Sequence, residues 1–95
     1  MLIYVDIDGT ICETKGGYMN AKPIKKNIEK INKLFDEGHF IVYWTARGKV
    51  SGKDWSELTG EQLTKWGCKF HDLIMNSKPA YDLLICDKSK RIEEL

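Results

Sequence analysis

Two aspartates one residue apart stand near the head of this chain, in Asp6-Ile7-Asp8-Gly9-Thr10, directly after the apolar run Leu2-Ile3-Tyr4-Val5. The run reads as a buried strand. If the strand continues through them, positions 6 and 8 share a side. Two carboxylates held close are costly unless a cation lies between them or one is protonated. Mg²⁺, which takes carboxylate oxygens together with water and phosphate, is such a cation. Gly9 permits a backbone turn just after the pair. Reactive residues recur at the ends of other strand-like runs. Phe40-Ile41-Val42-Tyr43-Trp44 ends at Thr45-Ala46-Arg47-Gly48, residues 71–75 lead through Asn76 and Ser77 to Lys78-Pro79, and residues 83–86 lead to Asp87. If the strands are parallel, these groups meet at one sheet edge, where ligands of such sheets gather. Carboxylates, a hydroxyl and an ammonium together suit phosphoryl transfer. A carboxylate can attack phosphorus to give an aspartyl-phosphate. The hydroxyl and the lysine can neutralise the transferring oxygens.

The elements that must position these groups alternate between strand-like and helix-like patterns, which predicts an α/β fold with a parallel sheet. Residues 9–22 form a polar connection containing Gly16-Gly17. A helix is expected to start near Pro23, because proline suits a first helical position. Ile24, Ile28, Ile31, Leu34 and Phe35 make its apolar stripe, and Gly38 stops it. Lys25, Lys26, Lys30 and Lys33 lie off the stripe and read as a solvated face. A polar loop at 48–54, carrying Lys49 and Lys53, leads to a second helix. Asp54 followed by Glu57 resembles a capping box, and Trp55, Leu58, Leu63 and Trp66 give the apolar face before Gly67. Residues 88–95 read as the beginning of a terminal helix. His39 and His71 precede strands, at the edge away from the reactive groups, and read as structural.

The chain's 95 residues suffice for one domain, 1–95, with one modest core. A hydrophobic content of 42% and a charged content of 31% are those of a globular protein. The net charge of +1 gives no overall field that would draw nucleic acid or a membrane surface. No apolar run approaches the ~20 residues of a membrane helix. The strand and its aspartates begin at the amino terminus, so a cleaved leader would remove them; the expectation is a cytoplasmic protein. Cys12, Cys68 and Cys86 are odd in number and scattered, which fits reduced thiols.

Taken together, these segments resemble the haloacid dehalogenase superfamily. Asp6-Ile7-Asp8-Gly9-Thr10 matches its first motif, Trp44-Thr45-Ala46-Arg47 the second, Lys78-Pro79 the third and the Asp87 region the fourth, in the family's order. The run from Lys78 to Lys88 looks like that of short capless members, some of which accompany surface-polysaccharide synthesis. The resemblance implies a minimal three-layer α/β sandwich with sheet order 4-1-2-3 and no cap domain. It implies a Mg²⁺-dependent phosphomonoester hydrolase working through an aspartyl-phosphate. Asp6 would be the nucleophile and Asp8 the general acid and base. Thr45 and Lys78 would hold the phosphoryl group, with Gly9, Ala46 and Arg47 beside the substrate. Asp6, Asp87 and the backbone carbonyl of Asp8 would hold Mg²⁺. Arg47 is expected either to reach an anionic substrate or to form a surface ion pair. Similar members carry two adjacent acids at the fourth motif, and here the first is Cys86, a poor ligand for a hard cation. A capless site is open, which favours a large or sugar-linked phosphorylated substrate, or closure by a second subunit. The alternatives are a phosphotransferase using the same intermediate and a non-catalytic phosphate-binding or assembly module. A response-regulator receiver also combines Asp, Thr and Lys, but it phosphorylates an Asp after a later strand than its acidic pair.

Overall fold

Side chains of a strand alternate between its two faces, and the head of the chain does so in the computed structural model, which describes residues 1–47, 52–75 and the backbone of 83–85. Strand β1 (Leu2–Asp6) buries Ile3 and Val5 on one face and Tyr4 on the other. A short ladder of β2 (Cys12–Glu13) and β3 (Lys22–Pro23) follows, then helix α1 (Lys25–Asp36), β4 (Phe40–Thr45), α2 (Ser56–Lys65), β5 (Asp72–Met75) and β6 (Leu83–Ile85). The four longer strands form one parallel sheet in the order β5-β4-β1-β6. Counting those four alone, this is the expected order 4-1-2-3.

Ile3 pairs in register with Ile41, and Val5 with Tyr43. These four sit in one cluster with Ile28 and Ile31 of α1 and Leu63 of α2. Both helices therefore pack on the same face, as successive right-handed crossovers in one direction require. Tyr4 and Val42 make a smaller cluster on the opposite face, flanked by Leu2, Trp44 and Ile74. The terminal helix expected over 88–95, and the loop residues 48–51, lie outside the described residues.

Helix α1 starts two residues after Pro23. Pro23 is held in the β2–β3 ladder opposite Cys12, and the Ile24 amide donates to the Ile11 carbonyl at 2.8 Å. The chain is thus extended until Ile24, and the helix begins only after it. At its end Gly38, with φ +97°, allows the His39 amide to reach back to Leu34 and the Gly38 amide to Phe35. The same two bonds close α2 around Gly67. At the start of α2 the cap position falls on Trp55, whose side chain makes no capping bond, not on Asp54 as expected. Asp54, one residue earlier, instead accepts the Ser56 amide at 2.9 Å and the Ser56 hydroxyl at 2.6 Å through Oδ1.

Candidate active site

Because β1 and β4 are parallel and adjacent, their carboxyl ends lie side by side, with Asp6 opposite Trp44. The order β5-β4-β1-β6 places β1 where successive crossovers reverse direction. That is where sheets of this kind open a crevice. Asp6 ends β1, half-buried, and its Oδ1 accepts the next amide, Ile7 N–H, at 3.0 Å. The chain then turns. Gly9 adopts φ +84°, a conformation costly for residues with a Cβ, and its amide donates to the Cys12 carbonyl at 3.0 Å. The Thr10 and Ile11 amides both donate to Ile7 O. Buried Asn27 of α1 fixes the turn from below, its Nδ2 donating to Thr10 O at 2.8 Å.

This turn delivers Asp8 to the side chains that follow β4. Arg47 Nε donates to Asp8 Oδ1 and Oδ2 at 3.2 and 3.1 Å, and Nη2 donates to Oδ1 at 2.7 Å. The Thr45 hydroxyl donates to Asp8 Oδ2 at 3.4 Å and accepts the Arg47 amide at 3.1 Å. Cys12 Sγ lies 3.6 Å from Asp8 Oδ1 and 3.9 Å from Arg47 Nη2. Burial, followed by the negative charge of Asp8, pushes the Cys12 thiol up to about 12. The thiol is therefore a neutral packing partner at ordinary pH.

Arg47 is 0% exposed and Asp8 is 25% exposed, so the ion pair sits just inside the surface. The guanidinium is neither on the surface nor turned outward. Its Nη1 donates to Thr59 Oγ1 at 3.1 Å and to Gln62 Oε1 at 2.6 Å. A guanidinium has five N–H groups. Nε, both Nη1 and both Nη2 hydrogens all have acceptors among Asp8, Thr59, Gln62 and Cys12. The Tyr18 ring covers Arg47, with Cζ 4.7 Å from its centroid. Trp55 meets Tyr18 edge to face at 5.1 Å, and Lys53 stands 4.5 Å over Trp55.

The structure therefore brings Asp8, Thr45 and Arg47 together and places Asp6 at the adjoining strand end. Gly9 and Ala46 are exposed beside them. Lys78, Cys86 and Asp87 lie outside the described residues. Among the described residues no three His, Cys, Asp or Glu side chains cluster as a metal site. The donors expected for Mg²⁺ fit in kind: the Asp6 carboxylate and the Asp8 carbonyl are hard oxygens at one turn, and Mg²⁺ needs few protein ligands when phosphate and water complete its shell.

Sequence reasoning missed Thr59, Gln62, Tyr18 and Asn27. Thr59, Gln62, Leu63 and Trp66 follow i, i+3, i+4, i+7 spacing, so the buried stripe of α2 runs through two polar residues. The expected apolar face had Trp55 and Leu58 in their place, and both are only half-buried. The spacing alone does not mark these two residues as polar partners; only their contact with Arg47, 12 and 15 residues earlier in the chain, does.

No protein-family model matches the chain, and no curated protein does. Solved structures resemble it in fold. A crystallised target from Vibrio cholerae superposes with a TM-score of 0.68 at 24% identity, over 83% of this chain and 72% of that one. Chains from two structures of the Pnkp1/Rnl/Hen1 complex, an RNA repair complex, superpose with TM-scores of 0.66 and 0.72 at 17% and 14% identity. They cover 84% and 94% of this chain but only 29% and 36% of the matched chains, so this chain spans about a third of their length. No helix among the described residues is long and apolar enough to cross a membrane.

Proposed function

We propose that this protein transfers phosphoryl groups, and specifically that it hydrolyses phosphomonoesters through an aspartyl-phosphate on Asp6. One observation carries the reading: the Asp8 carboxylate is fixed by Arg47 and Thr45 at the carboxyl end of β1, two residues from Asp6. A carboxylate beside a second, oriented carboxyl group is the minimum needed for nucleophilic attack assisted by proton transfer. The fold likeness to chains of an RNA repair complex is in keeping with chemistry on phosphate esters.

An Asp6 carboxylate oxygen attacks phosphorus. The bond from phosphorus to the leaving oxygen breaks, and that oxygen takes the electron pair and the proton of the Asp8 carboxyl. Water then attacks the phosphoryl-aspartate, Asp8 takes its proton, and the phosphorus–Asp6 bond breaks to release inorganic phosphate. The products are an alcohol and phosphate, and both aspartates are restored. The Thr45 hydroxyl, which donates to Asp8 Oδ2 in the free protein, turns to hydrogen-bond a phosphoryl oxygen while Arg47 keeps Asp8 in place, and Lys78 balances the charge of the phosphate and Asp6. Asp6, Asp87 and the Asp8 carbonyl would hold Mg²⁺, which when bound offsets charge on the transferring oxygens. The substrate in this reading is a phosphorylated molecule, large or sugar-linked.

The test is phosphate release from a panel of aryl, sugar and nucleotide monoesters, with Mg²⁺ and after chelation. Wild type should turn over at least one ester with Mg²⁺ and none without it. Asp6→Asn should lower turnover by a factor of about 10³ or more while keeping the wild-type circular dichroism. A folded Asp6→Asn protein with wild-type turnover sinks the assignment.

A further inference from the structure

We propose that Gln62 is a positioning residue for proton transfer by Asp8, acting through Arg47 and tying the Tyr18 loop to the same step. The inference rests on the reading of Asp8 as acid and base. Gln62 is buried on α2 and uses both ends of its amide. Oε1 accepts from Arg47 Nη1 at 2.6 Å, and Nε2 donates to the Tyr18 carbonyl at 2.6 Å. The partners fix the orientation. A reversed amide would set N–H against the guanidinium and oxygen against a carbonyl, losing both bonds.

Arg47 is thereby held at its far end. Thr59 and Gln62 anchor Nη1, and the Tyr18 ring lies over Cζ. With that end pinned, the edge formed by Nε and Nη2 faces Asp8, with Cys12 Sγ beside Nη2. The planar fork then sets the plane of the Asp8 carboxyl group. Proton delivery to a leaving oxygen depends on that plane, because a misplacement of about 1 Å can cost ~10²-fold in rate. Gln62 touches neither Asp8 nor the place where substrate would sit. Its effect on chemistry must travel through Arg47.

Proton donation matters in proportion to how poorly the leaving group departs unaided. An alkyl phosphate needs the proton, whereas 4-nitrophenyl phosphate, whose leaving phenol is acidic, scarcely does. The experiment compares kcat/KM, which reports only the steps through release of the alcohol and not the shared hydrolysis of the phosphoryl-aspartate, on glycerol phosphate and on 4-nitrophenyl phosphate, with Mg²⁺, for wild type, Gln62→Met and Gln62→Glu. Met keeps the volume and removes both bonds. Glu keeps an acceptor for Arg47 but cannot donate to Tyr18 O, and it guards against a Gln62→Met protein that fails to fold. Asn32→Ala serves as a destabilised control: Asn32 bridges Gly67 O and the Lys69 amide away from the site.

Gln62→Met should lose about tenfold or more on the alkyl ester and less than about threefold on the aryl ester. Gln62→Glu should shift the ratio the same way by less, and Asn32→Ala should leave it unchanged. Equal losses on both esters, or no loss, in an active protein overturn the role of Gln62 alone. A wild type inert on every ester overturns the phosphatase reading and the inference with it.

Discussion

At the amino-terminal edge of the sheet, His71 lies between two phenylalanines, its ring 4.7 Å from that of Phe35 and 4.2 Å from that of Phe40. Its Nδ1 accepts the Ile41 amide at 3.0 Å, and its own amide donates to Ile41 O at 2.8 Å. These contacts join the starts of β4 and β5 to the end of α1, and His71 itself stays exposed to solvent. At the carboxyl-terminal edge, a full positive charge is buried and its partner carboxylate is left partly open to solvent. Burying charge is costly, and replacement by apolar groups often stabilises a protein. A fold that needed only stability would treat both edges as it treats the amino-terminal one. The contrast supports the proposal that polar geometry at the carboxyl-terminal edge serves Asp6 and Asp8.

The sharpest way to break this contrast is to remove the buried charge. Arg47→Met should cost about 3 kcal/mol, because it strands Thr59 and Gln62 without a donor and leaves Asp8 without its partner. Urea denaturation of the variant measures this. Turnover of alkyl esters should fall as well. A variant as stable as wild type would mean that the pair contributes nothing to the fold, and the two edges would no longer differ in the way argued.

The four strands of the main sheet were readable because each is an apolar or β-branched run, and all but the third end directly in a reactive group; the short β2–β3 ladder, inside what read as a polar connection, was not. Strand order agreed as well, though that expectation came from resemblance rather than from periodicity. The meeting of Asp8 with Thr45, and the place of Asp6 at the adjoining strand end, were legible because each group directly follows an apolar strand run. The partners of Arg47 were not. Thr59 and Gln62 lie on a helix whose expected apolar face ran through Trp55, Leu58, Leu63 and Trp66, and spacing alone cannot reveal that a polar residue is buried when its acceptor role depends on a distant arginine. Pro23 misled by one rule prevailing over another. Its suitability for a first helical turn yielded to a two-residue ladder with β2.

A smaller effect should follow at the other edge. His71→Ala removes the acceptor of the buried Ile41 amide and both ring contacts, and should cost about 1.5 kcal/mol. Turnover per folded molecule should stay at the wild-type value, since nothing at this edge reaches Asp6 or Asp8. Activity and denaturation measured on the same preparation separate the two. A His71→Ala protein that keeps its stability but loses turnover would place chemistry at the wrong end of the sheet.

The smallest effect at neutral pH comes from the thiols, one near each edge. Burial pushes Cys12 up to about 12 and Cys68 up to about 11, and burial also raises the Tyr43 hydroxyl beside Cys68. A group with a raised folded pKa contributes its stability fully below the unfolded value. The contribution is then lost as pH rises through the folded value. For these thiols the unfolded value is near 9. Stability should therefore be insensitive to them up to about pH 9 and fall steadily toward pH 11–12. Cys12→Ala should flatten part of that alkaline decline, and more than Cys68→Ala does, because Asp8 adds its charge to the burial of Cys12. Denaturation midpoints at a series of pH values measure both slopes. Equal slopes in the two variants would mean that Arg47 cancels what Asp8 adds to the burial of Cys12, and the electrostatic half of the contrast between the edges would fail.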